Sequence, residues 1–422
     1  MRFTRLQQWL DWQLSLHGKS IDLGLERVSS VWHSLPRLND STFVISVAGT
    51  NGKGSAVAFL EAILLEAGYS VGCYTSPHLV SYNERIRING EEASDQQLCD
   101  VFQVIDQARG ETSLSYFEFA TLAALVLFSW EMPDVIVLEV GLGGRLDAVN
   151  IVDADAALIT SIGIDHQDWL GSDRETIGKE KAGILRAGQY AVFSGKQMPA
   201  SIEQTALKIG CDLIVSGRDY HVKTDQNGWE IQSGFGARHA LPLPSLRGEH
   251  QTENAAGVIA LLLACKEKLP VETDAMRAGL GSAKILGRFQ VIPGEINTII
   301  DVAHNPDSMQ QLASNLARFI VKGKLHIIIG MLKDKQIEAS LEPLLGHADY
   351  WYLMSTPGER GLTADELKKH FPDDSAKIAG MSDNIGDVYQ SVMQQAKAGD
   401  TLLVTGSFLV AGACLEMLEK QI

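Results

Sequence analysis

The stretch Val44-Ile45-Ser46-Val47-Ala48-Gly49-Thr50-Asn51-Gly52-Lys53-Gly54-Ser55 constrains this chain more than any other. An apolar run that reads as a buried strand enters a glycine-rich turn, and residues 56–65 after it read as an apolar helix. Gly49, Gly52 and Gly54 let the backbone curl so that several N–H groups point inward. The helix adds its positive end, and Lys53 supplies a mobile charge. Ser55 can reach a metal riding on bound phosphates. The usual G-x-x-x-x-G-K-[ST] pattern is not met, because Val47 stands at its first glycine and Gly54 separates the lysine from the hydroxyl. Gly49, Thr50, Asn51, Gly52, Lys53, Gly54 and Ser55 thus form a variant loop expected to hold nucleotide phosphate.

A chain of 422 residues is long for one core, which predicts two domains. A net charge of −16 argues against nucleic acid or an anionic membrane as partner. The five cysteines are scattered without C-x-x-C spacing and read as reduced core thiols. Polar residues run through the first eleven positions, so no signal peptide is expected. No apolar stretch approaches the roughly 20 residues that span a bilayer. These features predict a cytoplasmic protein.

Residues 6–16 carry apolar side chains at helical spacing, and Asp22 stands at a plausible helix N-cap. A second strand at 70–75 completes a strand-helix-strand unit and ends in Ser76-Pro77-His78, where a hydroxyl suits a metal or phosphate as well as a turn. The run at 84–91, containing Asn-Gly, predicts a half-exposed hairpin. Helices follow at 95–108 and 116–130, the second almost wholly apolar after Glu118, whose carboxylate is a cap or a ligand contact.

The core strand that begins at Asp134 ends in Glu139, where an open α/β sheet would hold magnesium. The glycines after it do not complete a dinucleotide fingerprint, since Leu146 fills the third glycine position. Another strand, 156–161, leads to Asp165-His166, a metal or a structural histidine. The helix expected at 174–186 reads as an ordinary charged one with a solvated face. Residues 217–243 look β-rich. Asn254, in a long apolar helix, suits an adenine edge or a helix cap.

A connector around 283–290 divides the chain into domains 1–286 and 287–422. The second alternates strand and helix like a small Rossmann sheet. Its polar centre is Asp301-Val302-Ala303-His304-Asn305-Pro306, with Arg288 upstream, and Gly406-Ser407-Phe408 reads as a further turn opening a helix.

These residues together resemble the folylpolyglutamate synthase family, and within it the bifunctional bacterial members that are also dihydrofolate synthases. The resemblance covers nearly the whole chain. It rests on 49–55, Thr75-Ser76-Pro77-His78, residues 138–147, Asp165-His166, Glu180-Lys181-Ala182-Gly183-Ile184, Gly287-Arg288-Phe289-Gln290 and Asp301-Val302-Ala303-His304-Asn305-Pro306, in the family order. It implies a Mur ligase-like α/β fold, a P-loop parallel sheet in the N-terminal domain with a smaller Rossmann-like C-terminal domain. It also implies ATP on the glycine loop and magnesium, with two sites, at Ser76, Glu139, His166 and Lys181. Lys181 matches a family lysine that carbon dioxide converts to a carbamate, turning a cation into a metal-binding carboxylate. Asn254, Arg288 and Asp301 match ATP contacts, with His304 beside them. Asp22, Leu23, Gly24 and Leu25, with Ser115, Tyr116, Phe117 and Glu118 and with Leu146, Asp147 and Ala148, look like the pterin site of the bifunctional members.

By that analogy a carboxylate of dihydropteroate or of a folate glutamate tail takes the γ-phosphoryl group of ATP, and L-glutamate attacks the acyl phosphate. Lys53, Lys181, His166 and His304 are the expected catalytic residues. Partners are then small molecules, and a monomer is expected. The nearest rival is a Mur-type cell-wall ligase, which normally carries a further N-terminal domain. Here fewer than about 50 residues precede the loop, at the lower limit for an independent domain. A nucleotide-dependent switch without ligase chemistry is the rival of another class.

Overall fold

The computed structural model describes residues 2–19, 21–225, 228–372 and 377–420. The chain forms two compact units. The first comprises Met1–Pro77, Asn83–Ser245 and Gln251–Lys284, the second His78–Tyr82, Leu246–His250 and Ile285–Ile422. The partition is not linear, because two short segments from within the first 250 residues belong to the second unit.

In the first unit the strands are β1 Phe43–Ala48, β2 Val71–Tyr74, β3 Ile86–Ile88, β4 Glu91–Glu92, β5 Val135–Glu139, β6 Ala156–Ile159, β7 Tyr190–Phe193 and β8 Asp212–Val215. They form one sheet in the order β4-β3-β2-β5-β1-β6-β7-β8. All neighbours from β2 to β8 pair in parallel, whereas β3 and β4 add an antiparallel edge. β1 and β5 are buried at every residue, the pattern of a parallel strand covered on both faces. The hairpin expected at 84–91 shrinks to β3 and β4, turning through Asn89 and Gly90, both at positive φ. β9 Tyr220–Asp225, β10 Gly228–Ser233 and β11 Gly236–Leu241 make a separate antiparallel sheet.

The chain leaves β1 through the helix Lys53–Glu66 toward β2 on one side, and leaves β6 toward β7 on the other. The carboxyl ends of β1 and β6 therefore flank a topological switch point, where open α/β sheets bind ligands.

The second unit holds β12 Gln290–Ile292, β13 Asn297–Ile300, β14 Leu325–Ile329, β15 Tyr350–Met354, β16 Ile378–Ser382 and β17 Thr401–Thr405, ordered β12-β13-β17-β14-β15-β16. Its strands are parallel apart from β12. Side-chain alternation builds a core on each face. Ile327, Ile329, Leu353 and Leu403 join one, and Ile328, Tyr352, Leu402 and Val404 the other.

Candidate active site

Register places the glycine loop. Val47 pairs with Glu139, the last residue of β5, and Ala48 pairs with Ile159, the last of β6. Gly49 (φ 148°) and Gly52 (φ 91°) then turn the chain into the helix Lys53–Glu66. A Cβ on Gly49 would lie 1.8 Å from Thr160 Oγ1, and one on Gly52 would lie 2.5 Å from Asn254 Oδ1, so only glycine fits at either place.

The residues after β6 brace the turn. Thr160 Oγ1 and Ser161 Oγ both donate to the Asn51 carbonyl, at 2.7 and 3.1 Å. The Thr50 N–H donates to Ser161 O at 2.7 Å. Thr50 Oγ1 donates to Gly163 O at 3.1 Å and accepts the Gly163 N–H at 3.0 Å. Lys53 Nζ folds back onto the carbonyls of Gly49 at 3.0 Å and Thr50 at 3.2 Å. Ser55 is buried within the first turn of the helix.

Lys181 ends the helix Arg174–Lys181, and its Nζ donates to Gly49 O at 2.9 Å. Burial first, and then the charge of Lys53, push its pKa down to about 7, against the pull of Asp165 and Asp147. Close packing brings this lysine in. The Arg145 N–H donates to Glu180 O at 2.8 Å. A Cβ on Gly144 would sit 2.8 Å from Glu180 O, and one on Gly183 would sit 2.5 Å from Arg145 Cα. The glycines after Glu139 thus let two backbones touch.

Glu139 is buried, and its Oε2 accepts the Ser76 N–H at 3.3 Å, which joins the ends of β2 and β5. His166 takes a left-handed conformation (φ 53°) ahead of the short helix Gln167–Leu170, and its N–H bonds Asp165 Oδ1 at 2.8 Å. Among the described residues no group of three or more His, Cys, Asp or Glu side chains is placed to hold a metal. The expected set contains only two of those types, beside a hydroxyl and a lysine.

Three stretches far apart in sequence meet elsewhere in this unit. The Gly24 N–H donates to Leu146 O at 3.3 Å. Arg27 reaches the Asp22 carboxylate at 2.7 Å and Glu118 at 3.1 Å. A Cβ on Gly141 would meet the Phe117 ring at 2.5 Å. Ser115 and Glu118 close a capping box at the start of the helix Tyr116–Glu131. Asp147 caps a 3-10 turn, accepting the N–H groups of Leu142 at 2.7 Å and Val149 at 3.0 Å.

In the second unit each oxygen of Asp301 accepts a backbone N–H, from Phe289 and from Ala303, at 2.8 Å each. Burial raises its pKa, with Arg288 acting in the opposite direction. The Arg288 guanidinium lies over the Phe408 ring at 5.3 Å, and His304 Nδ1 faces Val302 O at 2.8 Å.

A Mur ligase middle domain matches residues 47–262, and a Mur ligase, glutamate ligase domain matches residues 287–408. The chain is 43% identical over 416 residues to the dihydrofolate synthase/folylpolyglutamate synthase of Escherichia coli (strain K12), covering 99% of this chain and 96% of that one. The chain belongs to the dihydrofolate synthase/folylpolyglutamate synthase family. Escherichia coli FolC in complex with DHPP and ADP matches with a TM-score of 0.93 at 42% identity, over 99% of this chain and 98% of that chain. A bifunctional folylpolyglutamate synthase/dihydrofolate synthase with Mn, AMPPNP and L-glutamate bound matches at 0.90 and 42%, with the same coverage. The fold is Mur ligase-like, as the motifs predict, and the family is one of ATP-dependent ligases.

Four local readings change. Asp22 caps no helix, because the helix Glu26–Trp32 begins beyond it with Leu25 at the cap position. Asn254 lies inside the helix Glu249–Ala264 and so is not a cap; its amide donates to Gln251 Oε1 at 3.1 Å. The helix expected to reach 186 ends at Lys181 and tightens into a 3-10 turn at Ala182–Ile184. Lys181 is buried rather than on a solvated face. Sequence reasoning also passed over Thr160, Ser161, His17 and Arg27. A hydroxyl pair at the end of a strand next to β1 was the available signal for the first two.

Proposed function

We propose that this chain joins L-glutamate to dihydropteroate, giving dihydrofolate, and to reduced folates, giving folylpolyglutamates, with ATP hydrolysed to ADP and phosphate. The observation that carries the reading is the glycine loop at the switch point, with Lys53 and Lys181 converging on the carbonyl of Gly49. It accords with the ADP, AMPPNP, L-glutamate and DHPP named for the matched structures.

In the first step an acceptor carboxylate oxygen attacks the γ-phosphorus, the bond to the β-phosphate oxygen breaks, and ADP leaves. The amino nitrogen of glutamate then attacks the acyl carbon, the carbon–oxygen bond to phosphate breaks, and the amine proton is released. The loop N–H groups hold the phosphates, and Lys53 turns from its carbonyl partners to the transferring group. Asn254, Arg288 and Asp301 are assigned to the nucleotide, with His304 and His166 as catalytic candidates. The acceptor is assigned to Asp22 through Leu25, Ser115 through Glu118, and Leu146 through Ala148.

Ser76 and Glu139 offer a hydroxyl and a carboxylate, oxygen donors that suit magnesium, and His166 adds an imidazole, a donor more usual for softer metals. They would hold it, in two sites, together with Lys181 as a carbamate. Bound there, the ion supplies positive charge against the triphosphate. A buried amine with its pKa near 7 supports the modification, because only a neutral amine forms the nitrogen–carbon bond to carbon dioxide, releasing one proton. The acidic composition supports small-molecule partners rather than nucleic acid or membrane. No described helix is long and apolar enough to cross a membrane. We assign the protein as a cytoplasmic monomer.

The test supplies purified protein with ATP, magnesium, L-glutamate and either dihydropteroate or a reduced folate. ADP and a glutamylated product are expected with each acceptor. Activity with one acceptor alone would overturn the bifunctional reading, and ATP turnover indifferent to glutamate would overturn the ligase reading.

A further inference from the structure

We infer that His17, Asp22, Arg27 and Glu118 form a clasp that sets the 23–25 loop for the pterin-bearing acceptor, with His17 and Arg27 as its positioning residues. This rests on the acceptor-site assignment above.

The carboxylate of Asp22 is already engaged within the chain. Its Oδ2 meets His17 Nε2 at 3.0 Å and Arg27 Nη1 at 2.7 Å, and its Oδ1 meets Lys19 Nζ at 3.4 Å. Three cationic or hydrogen-bonding partners hold that carboxylate, and through it the start of the loop that follows. Residues 21–25 are all partly exposed and carry no regular structure, and the helix after them lacks a side-chain cap. Segments with few apolar contacts depend on polar ties for their position.

Both ends of the clasp reach one place. Arg27 Nη2 donates to the Asp22 carbonyl at 2.9 Å and to Glu118 Oε1 at 3.1 Å. Glu118 is 3% exposed, and its other oxygen accepts the Ser115 N–H at 2.7 Å. One buried acid thus caps the helix Tyr116–Glu131 and anchors the arginine. His17 makes a second bridge, with Nδ1 on Ser113 Oγ at 3.0 Å. On its far side the loop is tied through the Gly24 N–H to Leu146 O. The clasp therefore fixes 22–25 against 113–118 while the glycine ties it to 146, and these are the three stretches assigned to the acceptor.

The test is steady-state kinetics of ADP formation on Arg27→Gln, Arg27→Lys and His17→Phe, varying each substrate in turn. The KM for dihydropteroate should rise roughly tenfold in Arg27→Gln and His17→Phe, through loss of charge-assisted bonds. kcat and the KM values for ATP and glutamate should stay within about twofold, a split that general loosening of the fold would not give. Arg27→Lys keeps a cation beside buried Glu118, and so folds and recovers part of the affinity. It and His17→Phe carry the test if Arg27→Gln does not fold. An unchanged dihydropteroate KM, or an equal rise in the ATP KM, overturns the clasp. Phe117→Ala separates the two levels. If it too leaves the dihydropteroate KM unchanged, the acceptor-site assignment has failed. If it raises that KM while the clasp variants do not, only the clasp has.

Discussion

Lys53 and Lys181 share one acceptor, the carbonyl oxygen of Gly49, at 3.0 and 2.9 Å. Two ammonium groups on one oxygen repel, and the more buried of them gives way. Burial first, and this repulsion second, push the Lys181 pKa down to about 7. With labelled carbon dioxide, a carbamate carbon signal should grow as pH rises through that value and be missing in Lys181→Ala. The same variant should lose about a hundredfold or more in turnover and regain part with added formate or acetate. Undiminished turnover would leave Lys181 a packing residue.

The contact between Gly49 and Thr160 makes a steric prediction. A methyl group at position 49 has no room beside Thr160 Oγ1 and meets an unfavourable φ of 148°. Gly49→Ala should therefore abolish ADP binding by calorimetry in a protein that still folds. Thr160→Val removes a 2.7 Å bond to Asn51 O while Ser161 still donates there, so it should weaken ADP binding only about five- to tenfold. Equal affinities in the two variants would contradict this account of the loop.

Asp147 couples stability to pH. Burial pushes its pKa up from 3.8 to about 6, against N–H bonds from Leu142, Val149 and Gly141. Between those values the folded state binds more protons than the unfolded one, so this group's contribution falls as pH rises through the window. Above it the ionised form opposes folding by roughly 3 kcal/mol, at about 1.4 kcal/mol per pH unit. Urea titrations at a pH clear below this window and at one clear above it should show the gap between the natural protein and Asp147→Asn moving by about that amount, in favour of the variant at the upper pH. A gap independent of pH would refute the linkage.

Glu61 and Arg87 form a nearly buried bidentate pair, with contacts of 3.1, 3.1 and 2.7 Å, between the loop's helix and β3. Arg87→Met strands the acid and should lower unfolding stability by about 3–5 kcal/mol. Adding Glu61→Leu should recover most of that loss. If the double variant is no better than the single, the arginine matters for its packing and not for its charge.

Local pattern carried much of the fold. The helix at Leu6–Leu16 stands where its apolar spacing predicts, and the strand, turn and helix around Lys53 follow from apolar runs and glycine. What stayed hidden depends on contacts across the chain. Lys179-Glu180-Lys181 reads as solvated until Gly144 and Gly183 allow another segment to lie on it. Asp22 looks like a cap because its neighbours are helical, yet Arg27 and His17 draw it elsewhere. β16, reading Ile-Ala-Gly-Met-Ser, has a single β-branched residue and a central glycine, and so does not announce itself as a strand. The family resemblance gathered the acceptor stretches, while the hydrogen bonds that join them came only from the structure.

The bracing of the turn by Thr160 also bears on synthesis. Asn51 and Thr160 are 109 residues apart, and Gly49 and Lys181 are 132 apart. A nascent chain thus carries the whole glycine motif long before it carries the groups that give that motif its shape. Contacts of such sequence separation form late. On the proposed assignment of this loop to the triphosphate, nucleotide affinity is expected only after β6 and the helix of Lys181 have left the ribosome and packed beside β1, and ribosome-stalled chains that end before them should not retain ATP.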